Sequence, residues 1–214
     1  MKKTLIIGAS GKIGKKVAKL LNDNDIPVVA MVRNKSKVEE LASLGIDVIE
    51  ADLEEDFAST FSGCERVVFT AGSGAGTSVH KTLTIDLWGA CKAIDKAKEN
   101  RISHFIMVSS RGADNPDNGP KAIKPYLVAK HFADNYLIAS GLNYTILRPG
   151  RLLDEDGTGL IKTNRPINPE EQVISREDTA RAIYYCLTND VAIGKIHELY
   201  KGEESLNTAL QSST

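Results

Sequence analysis

Cysteine, histidine clustering, long apolar runs and charge imbalance are all scarce in this 214-residue chain, and each scarcity removes a class of protein. Its three cysteines, Cys64, Cys91 and Cys186, lie far apart beside apolar or small residues. That spacing fits neither a disulfide framework nor a zinc site, and leaves reduced, buried thiols. His80, His104, His131 and His197 are scattered without the i, i+4 spacing of a helix-borne metal site, so no metal is expected. No stretch approaches the roughly 20 apolar residues of a membrane span. The apolar run after "MKK" stops at Gly8, short of the roughly 7–15 residues of a signal-peptide core. A cytoplasmic location away from membranes is therefore expected. With 27 basic and 28 acidic residues interspersed along the chain and a net charge of −1, there is no electrostatic footprint for nucleic acid or an anionic surface. Internal repeats and low-complexity segments are absent too. The partners that remain are a small-molecule substrate and, at most, a second copy of the chain as a homodimer.

What is present is an alternation. Apolar, β-rich runs ("KTLIIG", "PVVAMV", "IDVIEAD", "RVVFTAG", "HFIMVSS", "NYTILRPG") are interleaved with helical patterns over 11–23, 35–44, 77–100 and 122–140. Strand and helix in turn argue for an α/β fold with a doubly wound parallel sheet and helices on both faces. The length suits one domain over 1–214. After Gly150 the pattern loosens into a polar, Gly- and Pro-rich stretch. We read 149–175 as a substrate-side loop, because it follows a strand whose C-terminal end faces the crevice of such a sheet. "SREDTARAIYYCLTN" then reads as a helix with Ser175 as N-cap and Asp178 at N3. A last strand, "KIHELYKG", and a polar tail over 203–214 complete the chain.

The most informative stretch is "LIIGASGKIGKKVAKLL", a strand that turns through Gly8, Gly11 and Gly14 into an amphipathic helix. Glycine at such points lets backbone approach a phosphate, and the helix N-terminus offers free N–H groups and a favourable dipole to a diphosphate. The groups placed against a dinucleotide are Gly8, Ser10, Gly11, Lys12, Ile13 and Gly14. The second strand ends in "MVRNKSK", with Arg33 where NAD-specific folds carry an acid for the ribose 2′-hydroxyl, and Lys35 and Lys37 close behind. A guanidinium there suits a 2′-phosphate, so NADP is expected rather than NAD.

The three-residue spacing of the glycines resembles the extended and atypical short-chain dehydrogenase/reductases. The resemblance runs over nearly the whole chain through "GASGKIG", "MVRNKSK", "ADL", "FTAG", "MVSS", "YLVAK" and "ASGLNYTILRPG". It is similar to the single-domain NAD(P)-binding branch that holds NmrA-like proteins and flavin/biliverdin reductase. The resemblance implies that Asp52 and Leu53 lie beside the adenine, that Thr70, Ala71 and Gly72 run along the cofactor, and that Ser109, Lys130, Pro149 and Gly150 meet its nicotinamide half.

The family's catalytic unit is a Ser, a Tyr and a Lys, with the last two four apart. Tyr126 and Lys130 have that spacing, which puts both on one helix face. The resemblance implies that Lys130 lowers the phenol pKa and holds ribose hydroxyls, and that Tyr126 exchanges a proton with a substrate oxygen. "VSS" offers Ser109 and Ser110 to fix that oxygen, Ser110 being preferred. Asp86 stands where extended members often carry Asn. Arg151 is read either as facing the nicotinamide or as paired with Asp154 or Glu155, and His131 as structural. Three functions follow: reduction of a small carbonyl, quinone or flavin-like acceptor by NADP(H); dinucleotide sensing without turnover; or epimerase/dehydratase chemistry, which the lack of a larger C-terminal region disfavours.

Overall fold

A computed structural model describes residues 3–34, 36, 38–74 and 76–211, so Lys35 and Lys37 lie outside the described residues. The elements in chain order are β1 (Thr4–Ile7), α1 (Lys12–Asn22), β2 (Val28–Val32), α2 (Glu39–Ser43), β3 (Asp47–Glu50) and β4 (Arg66–Phe69). There follow α3 (Val79–Lys81), a π-helical stretch (Thr82–Gly89), α4 (Ala90–Glu99), β5 (His104–Val108), α5 (Lys124–Ala139), β6 (Tyr144–Pro149) and β7 (Arg151–Leu153). The chain ends with β8 (Leu160–Lys162), β9 (Val173–Ser175), α6 (Arg176–Thr188), β10 (Lys195–Lys201), β11 (Glu204–Ser205) and α7 (Leu206–Gln211).

Strands pair in the order β11-β8-β10-β6-β5-β4-β1-β2-β3. Every pair from β3 across to β10 is parallel, and at one edge β8 runs antiparallel to both its neighbours, β10 and β11. The order reverses at β1, between β2 and β4, which opens a crevice at the C-terminal ends of those strands. Because successive strand side chains point to opposite faces, Ile6, Ala30, Val68, Ile106 and Leu147 pack into one apolar layer, and Leu5, Ile7, Val67, Phe69, Phe105 and Met107 into the other. α1 presents Ile13, Val17, Ala18 and Leu21 to the first layer, and α4 presents Ala90, Ala93, Ile94 and Ala97 to the second. Each fully buried Leu or Ile contributes about 1.5–3 kcal/mol, so the two-sided burial holds the sheet ends, and with them the crevice, in fixed register.

Two segments differ from the sequence reading. The helix expected over 77–100 is interrupted by the π-helical stretch, whose wider turn brings Thr82, Ile85, Asp86 and Gly89 to the buried side and lets Gly89 lie against Leu53. The segment 149–175 is not a loose loop: β7 pairs with β9 in a small parallel sheet, and β8 joins the antiparallel edge of the main one. Its strands are three residues each, too short for alternation to register. α6 begins as expected, with Ser175 Oγ accepting from the Asp178 N–H at 2.9 Å. Among the described residues no helix is long and apolar enough to cross a membrane.

Candidate active site

The turn between β1 and α1 is shaped by close backbone approaches. Gly8 has φ +88°, and a Cβ there would lie 2.6 Å from the Ala71 amide nitrogen. A Cβ on Gly14 would stand 2.5 Å from the Gly8 carbonyl oxygen, so α1 can cross the turn this closely only with glycine. Gly11 is different, since its nearest contact would be the Gly8 oxygen at 3.3 Å. A side chain there would crowd that oxygen mildly and otherwise stand in the groove that Gly11 lines. Gly11 caps α1 without a side-chain hydrogen bond, and the first turn carries no acid, so the positive end of the helix faces the groove uncompensated. This is the cradle a diphosphate fits.

The groove consists of two joined cavities of about 600 and 190 Å³ that share Gly11, Thr70, Gly72 and Ser73. Gly8, Ser10, Arg33, Asp52, Leu53 and Ala71 line the smaller one, at the ends of β1, β2, β3 and β4. Lys12, Ile13, Gly14, Asp86, Tyr126 and Arg176 line the larger. Every residue expected from the glycine turn through Gly72 thus borders one groove. Arg33 is exposed on its rim, and the Asp52 carboxylate accepts from the Glu54 N–H at 2.9 Å. The volume suits an extended dinucleotide with space for a small acceptor.

At the wide end, Tyr126 projects from the first turns of α5 into the larger cavity. Burial pushes its phenol up to about 12, with the Asp86 carboxylate adding to the rise and the neighbouring Ser110 hydroxyl opposing it. That is opposite to the lowering expected from Lys130. Lys130 is 2 % exposed: its Nζ donates to the Val108 carbonyl oxygen at 2.9 Å and lies 6.0 Å from the centre of the Phe69 ring. The two serines separate. Ser109 is buried and donates to Asp134 at 2.9 Å, whereas Ser110 is next to Tyr126. Asp86 is also buried; it accepts from the Ser73 N–H at 3.0 Å and borders the cavity with Tyr126.

Other expected residues sit further back. Pro149 and Gly150 are buried, with the Gly150 N–H donating to Leu199 at 3.0 Å and its Cα packed against the Gln172 carbonyl. Arg151 is exposed, and both acids considered for it are engaged elsewhere: Asp154 with Lys12 and Arg176, Glu155 with Lys201. His131 bonds the Ala113 carbonyl at 2.7 Å and the Asn135 side chain at 2.9 Å, consistent with a structural part. The three thiols are buried, and burial raises all three, to about 11 for Cys91 and about 12 for Cys186, so they are inert near neutrality. Among the described residues no His, Cys, Asp and Glu group could hold a metal. Arg176 and Leu152 on the cavity wall were missed by the sequence reading, because no local motif marks a residue brought in by β7, β9 and α6.

Fold and groove together define a dinucleotide-binding α/β protein. Residues 8–190 match the family described as NAD(P)H-binding, and the chain belongs to that oxidoreductase-type family. It is 41 % identical over 213 residues to Bacillus subtilis YhfK, named an uncharacterized sugar epimerase, covering 98 % of this chain and 99 % of that protein. Among solved structures it resembles a Bacillus halodurans protein provisionally named an NAD-dependent epimerase/dehydratase, with 38 % identity, TM-score 0.93 and full coverage of both chains. It also resembles ChuY, an anaerobilin reductase of Escherichia coli O157:H7, with 28 % identity and TM-score 0.74 over 92 % of this chain and 96 % of that one.

Proposed function

We propose that the protein is an NADPH-dependent reductase of a small carbonyl, quinone or flavin-like acceptor. The observation that carries this reading is Tyr126, a protonated phenol in a cavity that is continuous with the glycine-turn groove and has Ser110 beside it. When bound, the dinucleotide supplies the hydride. The protein does the rest. Gly8, Gly11 and Gly14 bring the positive end of α1 against the diphosphate, while Asp52, Leu53, Thr70, Ala71 and Gly72 form the wall along the adenosine half. Arg33 meets the 2′-phosphate, and β2 ends without an acid to repel it. Ser110 orients the acceptor oxygen, Tyr126 donates a proton to it, and Lys130 sets a positive charge one helical turn behind. Ser109, Pro149 and Gly150 support this end from below the groove surface.

A phenol held protonated to about 12 keeps its proton through the neutral range, so the acid form is the one present and the anion a base would need is scarce. That favours reduction over the epimerase chemistry named for two relatives, which would draw on a tyrosine anion. The test is calorimetric affinity for NADPH and NADH, followed by loss of NADPH absorbance with a panel of carbonyls, quinones, flavins and nucleotide sugars. Tight NADPH binding with turnover of an acceptor supports the proposal. NADPH binding without turnover favours the sensor reading, and conversion only of nucleotide sugars favours the epimerase.

A further inference from the structure

Lys130 has an unusual environment for a charged group. It lies among Met107, Val108 and the Phe69 ring, its closest polar partner is one backbone carbonyl at 2.9 Å, and among the described residues no carboxylate bonds to it. One turn further along the same helix face stands Asp134, at 0 % exposure. Its Oδ2 accepts from Ser109 Oγ at 2.9 Å and from Arg148 Nε at 3.0 Å, while its Oδ1 is buried with no hydrogen-bond partner. A carboxylate this deep carrying an unused oxygen is costly, so its retention invites a reason beyond helix packing.

We infer that Asp134 is a positioning residue for Lys130: held rigidly by Ser109 and Arg148, its carboxylate is the buried charge one helical turn away that keeps Lys130 an ammonium. The i, i+4 relation puts both side chains on one face of α5, and low polarity around them makes a charge effective beyond contact distance. The groups facing Lys130 are few. From α5 comes Asp134, from the π-helical stretch Asp86, and from β6 Arg148 through its bond to Asp134. From β4 and β5 come the Phe69 ring, Met107 and the Val108 carbonyl. Burial pulls the Lys130 amine down, and Asp134 and then Asp86 oppose that pull. Burial pushes Asp134 up as well, and the Lys130 ammonium, then the Arg148 guanidinium and the Ser109 hydroxyl, oppose that rise. The assignment explains why "VSS" carries two serines: Ser110 stands beside Tyr126 and Ser109 holds the charge that serves Lys130.

The meaning of this pair for catalysis rests on the proposed NADPH-dependent reduction, but its charge coupling can be read without any dinucleotide. The experiment is a pH titration of Lys130 by the 13Cε shift of labelled lysine, with its signal assigned by loss in Lys130→Arg. The expected result is a fall in the Lys130 titration midpoint by about one pH unit or more in Asp134→Asn. The basic limb of NADPH binding should move the same way, and Asp134→Asn should leave that limb unmoved in a Lys130→Arg background, where the guanidinium does not titrate. Asp134→Glu should restore part of the shift. If Asp134→Asn alone fails to fold because Arg148 is left unpaired, Asp134→Asn with Arg148→Met carries the same expectation. A lower melting temperature with an unmoved Lys130 midpoint would overturn the inference and reduce Asp134 to a structural partner of Arg148. A moved midpoint with no NADPH binding by the wild type would support the pair while refuting the proposed function.

Discussion

Tyr126 and Asp86 border the same cavity, so a phenol that must give up a proton faces a buried carboxylate that resists its doing so. The sign is definite: a negative charge disfavours phenolate and raises the phenol pKa. Asp86→Asn should therefore lower the Tyr126 midpoint from about 12. The phenolate absorbance of the variant, less that of the same variant carrying Tyr126→Phe, isolates this one tyrosine. An unmoved midpoint would show that Asp86 takes no part in setting it.

The three glycines of the turn should separate by what each one touches. Gly14→Ala would drive a methyl group to 2.5 Å from the Gly8 carbonyl oxygen, a backbone atom that cannot swing aside, so α1 must shift and the protein should melt well below the wild type. Gly11→Val comes within 3.3 Å of the same oxygen, a tight but far milder approach that a shift of a few tenths of an ångström relieves, and adds its bulk at the groove. It should fold and lose NADPH binding. Thermal melts paired with calorimetry check both, and a Gly11→Val protein with undiminished affinity would remove the foundation of the cofactor assignment.

Why these details were legible unequally in the sequence follows from their range. The glycine turn, Arg33 and Tyr126–Lys130 are local signals: each is a spacing within one strand-turn-helix unit, and the structure brings the turn, Arg33 and Tyr126 to one groove. The strand order around β1 was legible because parallel crossovers have one hand. Arg176 and Leu152 reach the cavity through pairing of β7 with β9, three residues each, which no periodicity reveals. The π-helical stretch shows no sequence mark, since its hydrogen bonding changes while its apolar pattern still reads as a helix. Ser109 and Ser110 could not be told apart until Asp134, 25 positions away from Ser109, took one of them.

Arg33 stands exposed on the rim of the smaller cavity, so its bond to a 2′-phosphate would be partly screened by water and salt. Arg33→Ala should weaken NADPH by about 1.5 kcal/mol, near the low end for a hydrogen bond to a charged group, which is roughly tenfold. NADH affinity should hardly change. Calorimetry with both nucleotides decides it, and a wild type that binds them equally would refute the NADP assignment.

His197 should make stability depend on acid. On β10 it is 1 % exposed, neither ring nitrogen finds a hydrogen-bond partner among the described residues, and burial, aided by Lys195, depresses it from 6.5 to about 4. A depressed folded pKa means that the unfolded chain binds the proton more readily. The stabilising contribution is thus complete above about pH 6.5 and is lost as pH falls through about 4. The loss amounts to roughly 3 kcal/mol for a shift of this size. Denaturant melts across that window should show it, and His197→Leu should flatten the trend. A wild-type stability that holds constant from pH 7 to 4 would contradict this account.

Tyr126→Phe gives the sharpest test of the chemistry, since it removes one hydroxyl from the cavity wall and keeps the ring that fills the start of α5. NADPH binding should stay within a few-fold, because the cradle of α1 and the rim at Arg33 are untouched. With a carbonyl acceptor the developing alkoxide needs a proton as hydride arrives, and general acid catalysis contributes about 10²–10⁴-fold, so turnover should fall by that order. With a flavin- or quinone-like acceptor the negative charge is delocalised and solvent can complete protonation, so the same variant should be nearly silent. The ratio of the two effects, measured on one preparation, therefore reports which acceptor the site is built for. Full activity of Tyr126→Phe on every accepted substrate would make the Tyr126–Lys130 spacing a coincidence of helix composition and leave the groove alone as the reductase.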